Sequence, residues 1–249
     1  AGRYLETASG EPFFLLADTM WGLMSLSESE VDYYLRTRKE QGFNTILGPV
    51  VWGYGFRSPD GTLMSSPERE DSPYYRHLDY IVRRAKEYGL RLVLVVQWGR
   101  TWIMSEYESP QDAYDYGRWI GERYQNEPHI AWFASGEYNR DNVDYLEYYK
   151  QIGLGLEAAV GERQLISIHP VGGFGYSEQS SSTRFHNESW LDFNAVQTWN
   201  DDDSTWRRTG DDWTLSPTKP TFVSETRYEG AGVDPYRIRR LAYGSVFSG

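Results

Sequence analysis

Short apolar runs alternate with longer amphipathic stretches along the whole chain. This alternation restricts the fold, because repeated strand–helix–strand patterns predict βα units around a parallel sheet. We count seven such units in the 249 residues. Their strands are predicted at Phe13 to Ala17, Thr45 to Leu47, Leu92 to Val96, Ile130 to Ala134, Leu165 to Ile168, Ala195 to Gln197 and Thr221 to Ser224.

The stretches between these strands carry helical spacing. In Glu28 to Gln41, for example, Val31, Leu35 and Arg38 recur at intervals of three and four residues and share one face. Gly89 suits a helix C-cap after His77 to Tyr88. The other helices are predicted at Gln111 to Arg123, Val143 to Val160 and Pro235 to Val246.

The fold class predicted from this pattern is α/β, as a single-domain (β/α)8 TIM barrel spanning residues 1–249. A chain of about 250 residues is typical of such barrels, which have eight strands. Here the sequence stops at Gly249, directly after the seventh helix. Either one strand escapes the count or the chain is C-terminally incomplete and lacks the eighth strand; the second reading is favoured. The polar stretches Gly172 to Asn187 and Asp201 to Asp212 are predicted to be loops that follow strands.

Composition excludes several function classes and suggests one. The net charge of −11 argues against a nucleic-acid partner, which needs basic residues to neutralise phosphates. No apolar run approaches the roughly 18 residues of a membrane span. With no cysteine there is no disulfide or thiolate metal site, and we expect a secreted or periplasmic location. Aromatic residues make up 16% of the chain, and rings beyond the needs of a core suit the apolar faces of sugars.

Polar and indole side chains follow nearly every predicted strand. In a β/α barrel the carboxyl ends of the strands surround the active-site mouth, so these side chains are expected to converge there. The residues predicted to bind substrate on this basis are Asp18, Trp21, Trp52, Trp98, Asn139, His169, Gln197, Trp199, Arg227 and Tyr228.

Two glutamates, Glu137 and Glu225, come directly after the fourth and seventh predicted strands. Glycoside hydrolysis needs two carboxyl groups on either side of the scissile bond, one to protonate the leaving oxygen and one to act at the anomeric carbon. The alternatives are that Glu137 caps the following helix and that Glu225 only pairs with Arg227. The indoles around both positions favour a catalytic pair.

Other chemistries fit less well. His169 ends a strand, but the four histidines have no HxH or HExxH spacing, so neither a metal nor another cofactor is expected. Asp18 is as compatible with a buried carboxylate bonded to backbone as with an acceptor for sugar hydroxyls. Gly172 to Gly175 lacks the lysine and spacing of a P-loop, and no GxSxG elbow surrounds Ser135 or Ser224.

Taken together, the strand ends resemble those of the apiosidase-like glycoside hydrolases, barrel enzymes often found beside modules described as collagen-binding. The stretches that carry this resemblance are Pro12 to Trp21, Gln41 to Ile46, Ser167 to Pro170, Phe185 to Glu188, Trp190 to Asn194 and Lys219 to Glu229. The resemblance implies a retaining mechanism with Glu137 as acid/base and Glu225 as nucleophile. In two places the chain departs from the family pattern: many relatives carry Asp where Glu137 stands, and Pro often replaces Thr226.

We therefore predict a retaining glycoside hydrolase that acts on side chains of plant or bacterial polysaccharides, so that its partner is an oligo- or polysaccharide. In this mechanism Arg227 is expected to hold Glu225 ionised by hydrogen bonding. The main alternative is a barrel that binds carbohydrate without catalysis. A metal-dependent barrel hydrolase is a third reading.

Overall fold

The computed structural model describes residues 2–52, 57–62, 72–99, 107–138 and 145–248. The chain divides into two compact units. The larger unit comprises Leu15–Ser135 and Asp144–Leu165, and the smaller unit comprises Ala1–Phe14, Gly136–Val143 and Ile166–Gly249. In each of them strands alternate with helices along the chain, which confirms the α/β class.

The larger unit contains a buried parallel sheet. Its elements are β3 (Ala17–Thr19), α1 (Glu28–Glu40), β4 (Thr45–Pro49), α2 (Pro73–Glu87), β5 (Arg91–Val95), α3 (Pro110–Tyr124), β6 (Ile130–Phe133) and α4 (Leu146–Val160). Strands β3, β4, β5 and β6 pair in parallel in that order, with Ile46 opposite both Asp18 and Leu92. Every residue of β4 is buried, as expected for a parallel strand with both faces covered.

Local sequence signals set the starts of the helices. Ser27 and Glu30 form a reciprocal capping box at the start of α1. Ser72 caps α2 by accepting a hydrogen bond from the Tyr74 amide, and Pro73 occupies the first helical position, where no amide hydrogen is needed. Serine followed by proline also begins α3.

Helices α3 and α4 approach each other closely through glycines. A Cβ atom on Gly155 would lie 2.2 Å from the Tyr114 carbonyl oxygen, and one on Gly117 would lie 2.4 Å from the Ile152 carbonyl oxygen. Real Cβ atoms do not make such contacts with backbone, so only glycine permits this helix spacing.

The smaller unit begins with an antiparallel pair, β1 (Leu5–Glu6) and β2 (Pro12–Phe13). It continues with β7 (Ile166–Ser167), α5 (Ser182–Phe185), β8 (Asn194–Gln197), α6 (Asp202–Trp213), β9 (Thr221–Glu225) and α7 (Pro235–Ser248). Strands β8 and β9 pair in parallel, with Ala195 opposite Phe222. Within the described ranges of both units, every helix is too short or too polar to span a lipid bilayer.

Two predictions about local structure are wrong. The first predicted strand, Phe13 to Ala17, is split: Phe13 ends the antiparallel pair, and the parallel strand begins only at Ala17. Both polar stretches predicted to be loops contain a helix: Ser182–Phe185 in the first is α5, and the acidic stretch is α6. The buried face of α6 includes the polar residues Ser204, Thr205 and Thr209, and the acidic, polar composition of the stretch led to the prediction of a loop.

Replacing Gly155 by alanine should destabilise the larger unit. The new methyl group would force α3 and α4 apart, at a cost of about 1–3 kcal/mol in the free energy of unfolding. Gly210→Ala is the matched control, because a Cβ at this position in α6 would find its nearest neighbour at 3.8 Å. Urea unfolding should show a lower midpoint for Gly155→Ala and an unchanged or higher one for Gly210→Ala, since alanine is the better helix former. Equal midpoints would contradict the packing argument.

Candidate functional site

Glu225 is the last residue of β9, and an irregularity in the sheet sets its neighbours. Val196 lies opposite Val223, but Gln197 lies opposite Glu225, so the register shifts by one residue past Ser224. The Ser224 hydroxyl donates to the Val196 carbonyl at 3.0 Å, and the Thr198 amide donates to the Glu225 carbonyl at 3.1 Å. Residues opposite each other in a sheet project to the same face. The shift therefore places the Gln197 and Glu225 side chains side by side.

Both oxygens of the Glu225 carboxylate accept hydrogen bonds. The Gln197 amide Nε2 donates to Oε2 at 2.6 Å, and the Tyr228 hydroxyl donates to Oε1 at 2.5 Å. Donors of this kind favour the ionised over the protonated carboxyl group, and two of them from different directions fix its plane. Glu225 is thereby held as an oriented carboxylate.

Gln197 and Tyr228 were predicted to bind substrate, and in the structure both donate hydrogen bonds to Glu225. The amide of Gln197 retains one unused group: its Oε1 is buried and has no hydrogen-bond partner among the described residues. A buried acceptor of this kind is costly unless a donor reaches it. A hydroxyl of a bound ligand would satisfy it.

His169 follows β7 and is fully buried. Its Nδ1 lies 2.8 Å from the Pro170 carbonyl oxygen, which can only accept, so Nδ1 carries the proton and Nε2 has the lone pair. Nε2 lies 3.6 Å from Oε2 of Glu225. Burial lowers the pKa of His169 to about 4, so the ring is neutral at pH 7. Its predicted contact with sugar hydroxyls stays untested, and the ring contributes no positive charge beside Glu225.

Arg227 does not pair with Glu225, so the predicted contact is wrong. Its Nε donates to Asp202 at 2.7 Å, and its Nη2 donates to the Asn200 carbonyl at 2.7 Å. Arg237 of α7 contacts the same carboxylate. Burial opposes ionisation of Asp202, but the hydrogen bonds from Arg237 and Arg227 outweigh it and lower its pKa. Sequence reasoning missed this partner because it treated the first turn of α6 as loop.

Glu137 has a backbone conformation that non-glycine residues seldom adopt. Its φ is +49°, in the left-handed region, where such strain clusters at functional sites. The next residue is anchored: the Tyr138 hydroxyl donates to the Ser180 carbonyl at 3.3 Å, and its ring packs edge-on against Phe185. Helix α4 begins at Leu146, so Glu137 does not cap it and that alternative is wrong. Asn139 lies outside the described residues.

The other predicted residues fall into separate groups. In the larger unit, Trp21, Trp52 and Trp98 form one cluster with ring centroids 4.4–5.1 Å apart.

Asp18, also in the larger unit, accepts hydrogen bonds from Tyr34 at 2.5 Å and from Arg38 at 2.6 Å, so side chains of α1 rather than backbone engage it. Burial, together with this bond to Asp18, raises the pKa of Tyr34. In the smaller unit Trp199 also has a positive φ, of 42°, and its ring centroid lies 5.5 Å from that of Tyr228.

Comparison with known proteins identifies relatives. The sequence matches the protein family described as "Apiosidase-like, catalytic domain" over residues 1–249. None of the curated proteins matches.

Among solved structures, one named "Glycoside hydrolase" has a TM-score of 0.87 and 29% identity, covering 100% of this chain and 62% of its own. A glycoside hydrolase family 5 protein from Bacteroides vulgatus ATCC 8482 has a TM-score of 0.87 and 27% identity, covering 100% of this chain and 59% of its own. The chain thus spans about three fifths of the length of these relatives.

A third structure, an endo-1,4-beta-D-mannanase from Thermotoga petrophila RKU-1, has a TM-score of 0.68 and covers 94% of this chain and 85% of its own. At 15% identity, it is similar in fold alone. These similarities confirm the predicted β/α-barrel class of fold.

The neutral state and the tautomer of His169 can be tested by NMR. We expect a titration midpoint near pH 4, because burial penalises the charged ring, and ¹⁵N shifts that place the proton on Nδ1. Long-range ¹H–¹⁵N correlation spectra between pH 3.5 and 8 measure both, and the His169→Asn variant assigns the signal. A midpoint near the ordinary 6.5 would contradict the burial argument.

Proposed function

The chain belongs to the family of apiosidase-like catalytic domains, and we propose that it hydrolyses glycosidic bonds with retention, using Glu225 as nucleophile and Glu137 as acid/base. The observation that carries this proposal is the Glu225 carboxylate, which Gln197 and Tyr228 hold by both oxygens. A nucleophile must be ionised and aimed, and this pair of donors supports both requirements.

In the proposed first step, a Glu225 oxygen attacks the anomeric carbon while Glu137 transfers its proton to the departing glycosidic oxygen. The C–O bond to the leaving group breaks, and an ester between the sugar and Glu225 forms. In the second step Glu137, now a carboxylate, takes a proton from water, and the hydroxide formed displaces Glu225 from the sugar. Retention requires carboxyl groups about 5–5.5 Å apart, against about 6.5–9.5 Å for inversion.

The neutral ring of His169 suits this mechanism. A cationic imidazolium 3.6 Å from Glu225 would form an ion pair and weaken the carboxylate as a nucleophile. A neutral ring with its lone pair toward Glu225 provides no such charge. The Glu225 carboxylate then keeps its full negative charge, which stabilises the positive charge that develops on the sugar in the transition state.

The proposed substrates are side chains of plant or bacterial polysaccharides. Gln197 supports this choice. Its Oε1 can accept a hydrogen bond from a sugar hydroxyl while its Nε2 donates one to Glu225. Trp199 offers a partly exposed indole next to Tyr228, suited to the apolar face of a sugar ring. A location outside the cytoplasm stays a prediction.

Glu225→Gln should reduce kcat/KM by on the order of 10³-fold or more, because no glycosyl ester can form. The control is Glu229→Gln, which changes an exposed carboxylate four residues later and should leave activity intact. A panel of 4-nitrophenyl furanosides and pyranosides measures the rates, and ¹H NMR of the first-formed anomer reports the stereochemistry. Full activity of Glu225→Gln would refute the assignment, and product with inverted configuration would refute retention.

Glu137→Gln should show a loss that depends on the leaving group. A general acid contributes on the order of 10²- to 10⁴-fold when the leaving oxygen needs a proton. The loss should be large with alkyl glycosides and small for sugar–enzyme ester formation from 2,4-dinitrophenyl glycosides, whose leaving group departs without protonation. Burst and steady-state kinetics on both substrate types separate the steps. If Glu137→Gln slowed ester formation equally with alkyl and 2,4-dinitrophenyl glycosides, Glu137 would not be the general acid.

A further inference from the structure

The loop after β7 presents an exposed aromatic ring. Phe174 is 70% exposed, although large apolar side chains are usually buried. Single exposed rings are common and need no explanation by themselves. What distinguishes Phe174 is the backbone beneath it, which the structure holds in place at several points.

The start of this loop is packed against strand β8. A Cβ atom on Gly172 would lie 1.7 Å from the Gln197 carbonyl oxygen, so the two backbones touch. Gly173 has a φ of +113°, and a Cβ there would lie 2.7 Å from Oδ1 of Asn200. Both positions require glycine, one for space and the other for backbone conformation as well.

Hydrogen bonds hold the backbone around Phe174 itself. Asn200 Oδ1 accepts from the Phe174 amide at 2.9 Å, and Gln179 Nε2 donates to the Gly173 carbonyl at 2.9 Å. A ring on a fixed backbone loses little entropy when it binds a ligand. The backbone of Phe174 is therefore prearranged while its ring remains exposed to solvent.

A chain of contacts links this loop to Glu225. Trp199 bounds the space next to Gly173: a Cβ atom added to this glycine would lie 3.4 Å from both Cβ and Cδ1 of Trp199. The Trp199 ring packs against Tyr228, and Tyr228 donates to Glu225. Trp199 itself is 42% exposed. The backbone that carries Phe174 thus adjoins Trp199, and Trp199 is linked to Glu225 through Tyr228.

We propose that Phe174, together with Trp199, forms an outer aromatic subsite that binds a second sugar of an oligosaccharide substrate. This inference rests on the proposed function and adds that the preferred substrate has at least two sugars. Flat apolar rings stack on the CH-rich faces of sugars and give contact area without demanding a particular hydroxyl pattern. Phe174 is then a specificity-determining residue for substrate length.

The test compares Phe174→Ala with Phe247→Ala, which removes another largely exposed ring, 83% exposed against 70%, from α7 of the same unit. The probes are 4-nitrophenyl monoglycosides and oligosaccharides from a partial acid hydrolysate of pectin. For Phe174→Ala we expect kcat/KM on oligosaccharides to fall about 5- to 10-fold, mainly through KM, and by several times more than on monoglycosides. Phe174→Tyr should restore the wild-type value, and Phe247→Ala should match wild type.

Equal losses on both classes of probe, or the same loss in Phe247→Ala, would overturn the subsite. If the wild-type protein hydrolyses no probe, the proposed function fails, and affinity electrophoresis in pectin gels then decides the inference separately. Retardation that is lost in Phe174→Ala and kept in Phe247→Ala would support a carbohydrate subsite. Absence of retardation in the wild type, or equal retardation in both variants, would refute it.

Discussion

The register shift between β8 and β9 is the constraint from which the site follows. In regular parallel pairing Gln197 would lie opposite Ser224, and Glu225 would project to the other face of the sheet. The shift past Ser224 brings Gln197 opposite Glu225, and the Ser224 hydroxyl stabilises it by donating to Val196. Sheet irregularities of this kind often lie beside functional sites, where they redirect a side chain. Here the redirected side chain is the proposed nucleophile.

A second layer of interactions keeps the segment after β9 in place. Asp202, at the start of α6, contacts Arg227 from this segment and Arg237 from α7. Because three separate parts of the smaller unit meet at one buried carboxylate, Arg227 has a supporting role there, while Gln197 and Tyr228, both uncharged, donate to Glu225. Neutral His169 and the amide of Gln197 add no net charge, so the charge of the Glu225 carboxylate is not neutralised by a neighbouring cation within this group of residues.

Much of the fold could be predicted from sequence, since apolar periodicity and capping residues are local signals. Six of the seven predicted strands match strands of the structure closely. Helix α6 was missed because its buried face is polar and its acidic composition is typical of a loop. The residues at the site could be named from their positions after strands, but their partners could not. Which donor reaches Glu225 depends on a one-residue register shift, and no pattern in the sequence reveals that shift.

The loop that carries Phe174 divides into a part that cannot vary and a part that can. Gly172 lies against the backbone of β8, so any side chain there would displace the strand that supports Gln197. Phe174 projects into solvent from a backbone held by Asn200, and its side chain can be exchanged without disturbing the strands. In laboratory evolution, libraries that randomise position 174 while preserving Gly172 and Gly173 would sample new recognition properties at little cost to folding.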